Sequence, residues 1–213
     1  SLKAGNGVTI SAQSTSVIDA FVLAASVAIA ASTTDAAAVA IGGLWTDNRI
    51  ATDIEASASS TGVDAGTGGL AVEATDSSKI TADAMAAAVT ASLSGGKSGA
   101  GSVGLALAHN TVDNTVAAFI ENAGTMKAGG AVTITATNDS EIRVKAIAVA
   151  FAASVTAGTP AVALSGGGAE STNVVLSTTT ASVTGGSLGT AANKVGDVTI
   201  TAKSTGLVEA LVL

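Results

Sequence analysis

Residues 131–136, with the sequence AVTITA, decide how this chain folds because similar segments recur along it. Residues 7–12 read GVTISA, residues 69–74 read GLAVEA, and residues 197–202 read DVTITA. The alanines that end these segments lie 62, 62 and 66 positions apart. Recurrence at such a period is typical of repeat proteins, in which stacked units bury a shared core. The sequence therefore predicts one continuous array.

The same register extends beyond these segments. An aliphatic residue follows each of them at Ile18, Ile80, Ile142 and Val208. The extra residues of the third interval fall near 189–194, where a loop insertion is expected. We therefore divide the chain into units at approximately 7–68, 69–130 and 131–196, with a partial unit at 197–213. Because residues 207–213 match residues 17–23, we expect the chain to be a fragment of a longer array.

Each unit contains a β-branched run followed by an alanine-rich segment whose residues divide by parity. In residues 142–152, mostly small side chains occupy one parity, and larger or charged ones occupy the other. This alternation favours a strand, although alanine also favours an alanine-rich helix. The predicted fold is an all-β, parallel β-helix-like β-solenoid with repeats of about 62 residues. Separate β-sandwich domains are the alternative, but a unit of this length is short for that fold.

Stacking of the units predicts columns of equivalent side chains. We expect the column Ile10, Val72, Ile134 and Ile200 to lie inside the array. Asparagine recurs at Asn48, Asn110 and Asn173. Amides stacked in this way can bond to one another along the axis, so we predict a structural ladder at these three positions.

The parity division also predicts an association surface. If the larger side chains, such as Phe21, Met85 and Phe151, fill the core, the alanine parity forms a smooth apolar face. Extended apolar surfaces usually mark interaction sites. We therefore expect Ala86 and Ala148 to contact other repeats or other copies of the same protein.

Composition limits the possible functions. The net charge is −7 with only nine lysines and arginines, so no basic surface for nucleic acid is expected. The chain has no cysteine and is 47% hydrophobic but only 2% aromatic, which suits closely stacked strands of small residues. The apolar stretch 21–45 is interrupted by Asp35, so no transmembrane span is predicted.

Several short motifs match catalytic or nucleotide-binding patterns only superficially. Residues 91–98 (ASLSGGKS) resemble a phosphate-binding loop but precede a glycine-rich turn rather than a helix. Residues 99–104 fit G-x-G-x-x-G without a βαβ frame. His109 is the only histidine, and no serine or cysteine is paired with it in sequence. We therefore predict that the chain is not an enzyme and needs no cofactor.

Two ligand classes remain as alternatives. Asp47 with Asn48, or Asp113 with Asn114, offers oxygen ligands of the kind that Ca²⁺ prefers. Outward threonines on stacked strands would suit ice or carbohydrate binding, although Ala71 and Glu73 interrupt their columns. These threonine and serine positions are Thr9, Ser11, Thr133, Thr135, Thr137, Thr199 and Thr201.

The consensus of the units resembles the long repeats of giant bacterial filamentous haemagglutinin-like and autotransporter-type adhesins. The resemblance is carried by residues 132–136, Ile142, Asn110 and residues 116–123 (VAAFIENA), and it covers essentially the whole chain. It implies a structural or adhesive module of a surface stalk or fibre, located outside the cell or on the bacterial surface. It implies no catalytic residues, and it leaves the receptor unknown.

Overall fold

The computed structural model describes residues 1–213, and all its regular secondary structure is β-strand. The chain has no helix, and thus none long and apolar enough to cross a membrane. The strands are Leu2–Lys3 (β1), Val8–Ser14 (β2), Val17–Ser32 (β3), Ala36–Ser59 (β4), Val63–Asp64 (β5), Leu70–Asp76 (β6), Lys79–Ser94 (β7), Ser98–Glu121 (β8), Thr125–Met126 (β9), Val132–Thr156 (β10), Ala161–Thr184 (β11), Ser187–Leu188 (β12) and Val198–Val212 (β13).

The strands form two main sheets that pack face to face. In the first sheet β10 lies between β13 on one side and β6 and β7 on the other, and β2 and β3 continue outward from β6 and β7. The second sheet has the order β4-β8-β11. All strand pairs in both sheets are parallel. The prediction of an all-β fold is therefore confirmed.

Paired strands join equivalent positions of successive units. Ile10 pairs with Val72, Val72 with Ile134, and Ile134 with Ile200. Val72 and Ile134 are fully buried, whereas Ile200 is 47% exposed because it lies in the edge strand β13. Each strand covers the hydrogen-bonding edge of its predecessor, at a spacing of about 4.8 Å.

The extra residues of the third repeat interval, between Ala136 and Ala202, lie between two positions that pair with the preceding unit. Ser187 pairs with Thr125, which lies 62 residues earlier, as in the preceding units. Val198 pairs with Val132, which lies 66 residues earlier. The additional residues therefore lie between β12 and β13. They belong to the connection between these strands, so β13 still pairs with β10 in the register of the other units.

The core changes in composition along the strands. At one end it contains large aliphatic side chains, including Leu70, Ile120, Met126 and Ile134. Toward the turns 33–35, 95–97 and 157–160 the inward positions become mainly alanine, serine, threonine and glycine. We call this second part the wing. It comprises residues 21–45, 83–107 and 145–170.

Inward glycines bring the two sheets of the wing very close together. A Cβ added to Gly42 would lie 2.6 Å from the carbonyl oxygen of Ala87 in the facing sheet. One added to Gly167 would lie 3.0 Å from the carbonyl oxygen of Ala148. Beside these glycines the space between the sheets is therefore too narrow for leucine or phenylalanine, and the alanine parity must face inward there.

The structure consequently corrects the expected association surface. Ala86 is only 2% exposed and Ala148 is half-buried, and both point between the sheets. The larger parity lies outside instead, with Phe21 63% and Phe151 58% exposed. The expectation inverted the two faces because both parities of these strands are apolar.

Candidate functional site

One outer surface of the wing is formed by the outward side chains of β3, β7 and β10, and we call it the β7 face. Its larger members project between alanines such as Ala25, Ala87 and Ala153. None of its central positions carries a charge. The exposed large side chains of this face are Phe21, Leu23, Val27, Ile29, Val89, Leu93, Val149, Phe151 and Val155.

The opposite surface is formed by the outward side chains of β4, β8 and β11, and we call it the β8 face. It also exposes large apolar residues, with Leu164 at 74% and Trp45 at 65%. Unlike the β7 face, it contains glycines at outward strand positions. These are Gly43, Gly99, Gly101, Gly166 and Gly168.

Charged residues lie at the inner border of the wing and beyond it. On the β7 side, Lys145 Nζ lies 3.9 Å from Asp83 Oδ1. Past the border of the β8 face, Arg49 Nη2 bonds Asp113 Oδ2 at 3.0 Å. The polar border and the apolar wing together resemble the rim and centre of a protein interface.

The three asparagines predicted to stack lie at paired positions of β4, β8 and β11. Asn48 Nδ2 donates to Asn110 Oδ1 at 2.8 Å, and Asn110 Nδ2 donates to Asn173 Oδ1 at 2.9 Å. Asn173 Nδ2 then donates to Ser171 Oγ at 2.8 Å. Asn110 is fully buried. The row is a directed chain of amide hydrogen bonds that runs across the strands.

A second buried polar network was not found from the sequence. Asp76 is fully buried, and its carboxylate accepts hydrogen bonds from Ser78 Oγ at 3.0 Å and from Asn114 Nδ2 at 2.6 Å. Asn114 Oδ1 accepts from the backbone N and the hydroxyl of Thr52, at 3.2 and 2.8 Å. The available signal was parity, because Asn114 lies four residues after Asn110 and so shares its inward face.

The two aspartate–asparagine pairs considered for Ca²⁺ are separated by the pleat of the strands. Asp47 is exposed while Asn48 points inward, and Asp113 is directed outward while Asn114 is buried. Neighbours in a strand point to opposite faces, so neither pair can share one ion. No cluster of three or more histidine, cysteine, aspartate or glutamate residues is placed to hold a metal.

The threonine columns are in register on the outer side of the first sheet. Thr133 pairs with Thr199, and Thr135 pairs with Thr201. On the other side of β10, however, Ala71 pairs with Thr133, and Glu73 pairs with Thr135. The hydroxyl array is therefore continuous over β10 and β13 only.

The glycine-rich segments that resembled nucleotide-binding motifs lie in and beside a strand–strand turn. Ser94 ends β7 and Ser98 begins β8. The Lys97 backbone N–H donates to Asp35 Oδ1 at 2.8 Å, which links this turn to the turn of the first unit. His109 lies at the border of the β8 face, beside Trp45 and Glu170 in a shallow depression. No helix follows the turn, so no helix N-terminus is available for a phosphate.

Comparison with known proteins gives no relative: no family model, curated protein or solved structure matches the chain.

Proposed function

We propose that the chain is a structural repeat segment of a bacterial cell-surface or secreted fibre, folded as a β-solenoid. In this proposal each unit forms one wide, thin coil, and successive coils stack along one axis. The observation that carries the proposal is the parallel pairing of equivalent positions in successive units. Such pairing converts a sequence repeat into a regular rod.

The geometry supports growth along the axis. β3 and β4 are edge strands at one end, and β11 and β13 are edge strands at the other. A further unit placed on either end could use the same register and the same hydrogen bonds. The amide chain through Asn48, Asn110 and Asn173 could be extended in the same direction. A rod with a repeating interior is a suitable scaffold for a stalk.

The adhesive part of the proposal concerns the outer faces of the wing. Both faces are apolar and broad, and contiguous exposed apolar surface beyond a few hundred Å² usually marks an interaction site. In a fibre protein these faces would hold rods together or bind surfaces. The resemblance to bacterial adhesins in residues 116–123 and 132–136 supports a location outside the cell.

The experiment that tests this proposal lengthens the chain by whole units. One, two and four additional copies of residues 69–130 are inserted after residue 130. A solenoid gains about 4.8 Å in one dimension per inserted copy, while its other two dimensions stay constant. Small-angle scattering and negative-stain microscopy measure these dimensions. A gain of about 20 Å or more per copy would instead indicate a string of separate domains and contradict the proposal.

A further inference from the structure

Four of the five outward glycines of the β8 face are not required by any contact within the chain itself. Gly43, Gly99, Gly101 and Gly166 lie inside strands, and a Cβ added to any of them would meet no atom within 4 Å. None of them has a positive φ. Glycine weakens a strand, and in strands it often marks a place where another backbone approaches closely. The β8 face is therefore shaped for a second layer.

These glycines create hollows between large side chains. Gly101 lies in the middle strand β8, between Val39 of β4 and Leu164 of β11, which are 69% and 74% exposed. The result is a shallow apolar hollow. It is lined mainly by Val39, Ile41, Gly101, Val103, Leu164 and Gly166.

The β7 face has the complementary shape. Its projecting side chains include Ile29, which is 77% exposed, and Val27, which is 68% exposed. Alanines such as Ala25 and Ala31 flank these side chains on the same face, so the larger side chains project above their neighbours. The β7 face thus presents projecting side chains, whereas the β8 face presents hollows.

We propose that the β7 face of one chain packs onto the β8 face of a second copy. This inference rests on the proposed function as a fibre component and names the lateral partner within the fibre. The two faces lie on opposite sides of the wing, so each copy that is bound by one face leaves its other face free. When successive copies are related by translation, such a head-to-tail contact repeats without closing and produces a lateral stack of rods.

The borders of the two faces fit this arrangement in the first and third units. Gly42 lies opposite Ala24 and Ala87 across the wing. Phe21 is three residues further from the turn than Ala24, and Trp45 is three residues further from it than Gly42. The row of paired residues through Phe21 on the β7 face therefore lies back to back with the row through Trp45 on the β8 face. In copies related by translation, Phe21 of one chain then lies over Trp45 of the next.

The same translation brings opposite charges together in the third unit. Lys145 is in the row of Phe21, and Glu170 is in the row of Trp45. Lys145 of one chain therefore lies over Glu170 of the next. Aromatic contact in one unit and charge attraction in another define both the partner face and its register.

The contact area determines how strongly this chain associates. Ten residues of strand length and three strands give each face about 33 Å by 14 Å, or about 450 Å². One contact then buries about 900 Å² in total, which is less than the roughly 1,600 Å² of a typical stable complex. Each additional unit adds about 300 Å² on the same geometry. The 213-residue chain should associate weakly, and longer arrays should associate strongly.

Disulfide trapping tests the contact, since the chain has no native cysteine. Two variants of the full chain, Lys145→Cys and Glu170→Cys, are mixed under oxidising conditions. We expect the mixed dimer to exceed both homodimers at least fivefold in yield. A Lys194→Cys variant, whose position is exposed and outside the wing, provides the background rate. Adding Ile29→Glu to the Lys145→Cys chain should lower the yield of mixed dimer at least fivefold, while the circular dichroism spectrum stays unchanged.

Three outcomes would overturn the inference. Homodimers of Lys145→Cys in excess would show that like faces pair. Cross-linking at the background rate, with a monomer at every concentration in sedimentation, would show that no second copy binds. Binding of that monomer to phosphatidylcholine vesicles would assign the faces to a lipid surface. In each case a chain that still gains about 4.8 Å per inserted unit would leave the proposed function intact.

Discussion

Gly104 of β8 lies against the backbone of Val149 of β10, so that a Cβ on this glycine would come 2.8 Å from the Val149 carbonyl oxygen. These residues belong to different sheets and to successive units. The contact shows that the sheets of the wing touch almost backbone to backbone. Except at the inner border, where Leu44 packs inward, the thinness of the wing excludes large side chains from its interior and leaves them on its two outer faces.

Replacement of Gly104 by alanine should therefore destabilise the chain. The new methyl group meets a backbone oxygen that cannot move without separating the sheets, and overpacking of this kind costs about 1–3 kcal/mol. Urea unfolding measures the change in the midpoint. Gly101→Ala in the same strand is the matched control, since its Cβ would point outward with no atom within 4 Å. Equal midpoints for the two variants would contradict the close approach of the sheets.

The sequence predicts the strands and their alignment well because these depend on period and parity alone. The period of the repeat places Ile134 beside Val72 without any knowledge of the sheets. The sequence does not predict which side of each strand faces the core, since both parities around Ala86 are apolar. That choice depends on Gly42 and Gly104, which come from the other sheet. No linear pattern states which residues of two sheets face each other.

The buried network around Asp76 was missed for a related reason. In the sequence Asn114 is next to Asp113, and together the two suggest one ligand pair. The pleat directs Asp113 toward Arg49 on the surface and Asn114 toward Asp76 in the interior. Residues 38 positions apart thus form the contact, and the neighbours in sequence do not.

Asn110→Ala should lower stability by about 1–3 kcal/mol. The change removes the central amide of the ladder, which leaves Asn48 Nδ2 and Asn173 Oδ1 without their bonds. Thermal unfolding measured by circular dichroism reports the loss. Asn193→Ala is the control, because Asn193 is exposed in the connection before β13. An unfolding temperature for Asn110→Ala as high as that of the control would mean that the ladder contributes nothing to stability.

Asp76→Ala should cost more than Asp76→Asn. Alanine removes both acceptor oxygens and leaves Ser78 and Asn114 with unmet donors in the core, a loss of about 1–3 kcal/mol. Asparagine retains one acceptor oxygen, and the fold already accommodates Asn138 at the paired position of the next strand. Chemical denaturation of the two variants beside the parent chain measures the order. If Asp76→Asn were less stable than Asp76→Ala, the number of retained acceptor oxygens would not explain the order, and the site would require the carboxylate itself.

The last prediction tests which side of β7 is the interior. Ala86 and Ala87 are neighbours in one strand, but Ala86 is 2% exposed whereas Ala87 belongs to the β7 face. Ala86→Lys would place a charge between sheets that have no room for it, and an uncompensated buried charge costs about 3 kcal/mol or more. Ala87→Lys directs the same side chain into solvent and should leave the free energy of unfolding of the monomer within about 0.5 kcal/mol of that of the parent. Both variants are measured by urea unfolding at low protein concentration, so that association does not contribute. A stable Ala86→Lys chain together with an unfolded Ala87→Lys chain would mean that the larger side chains form the core.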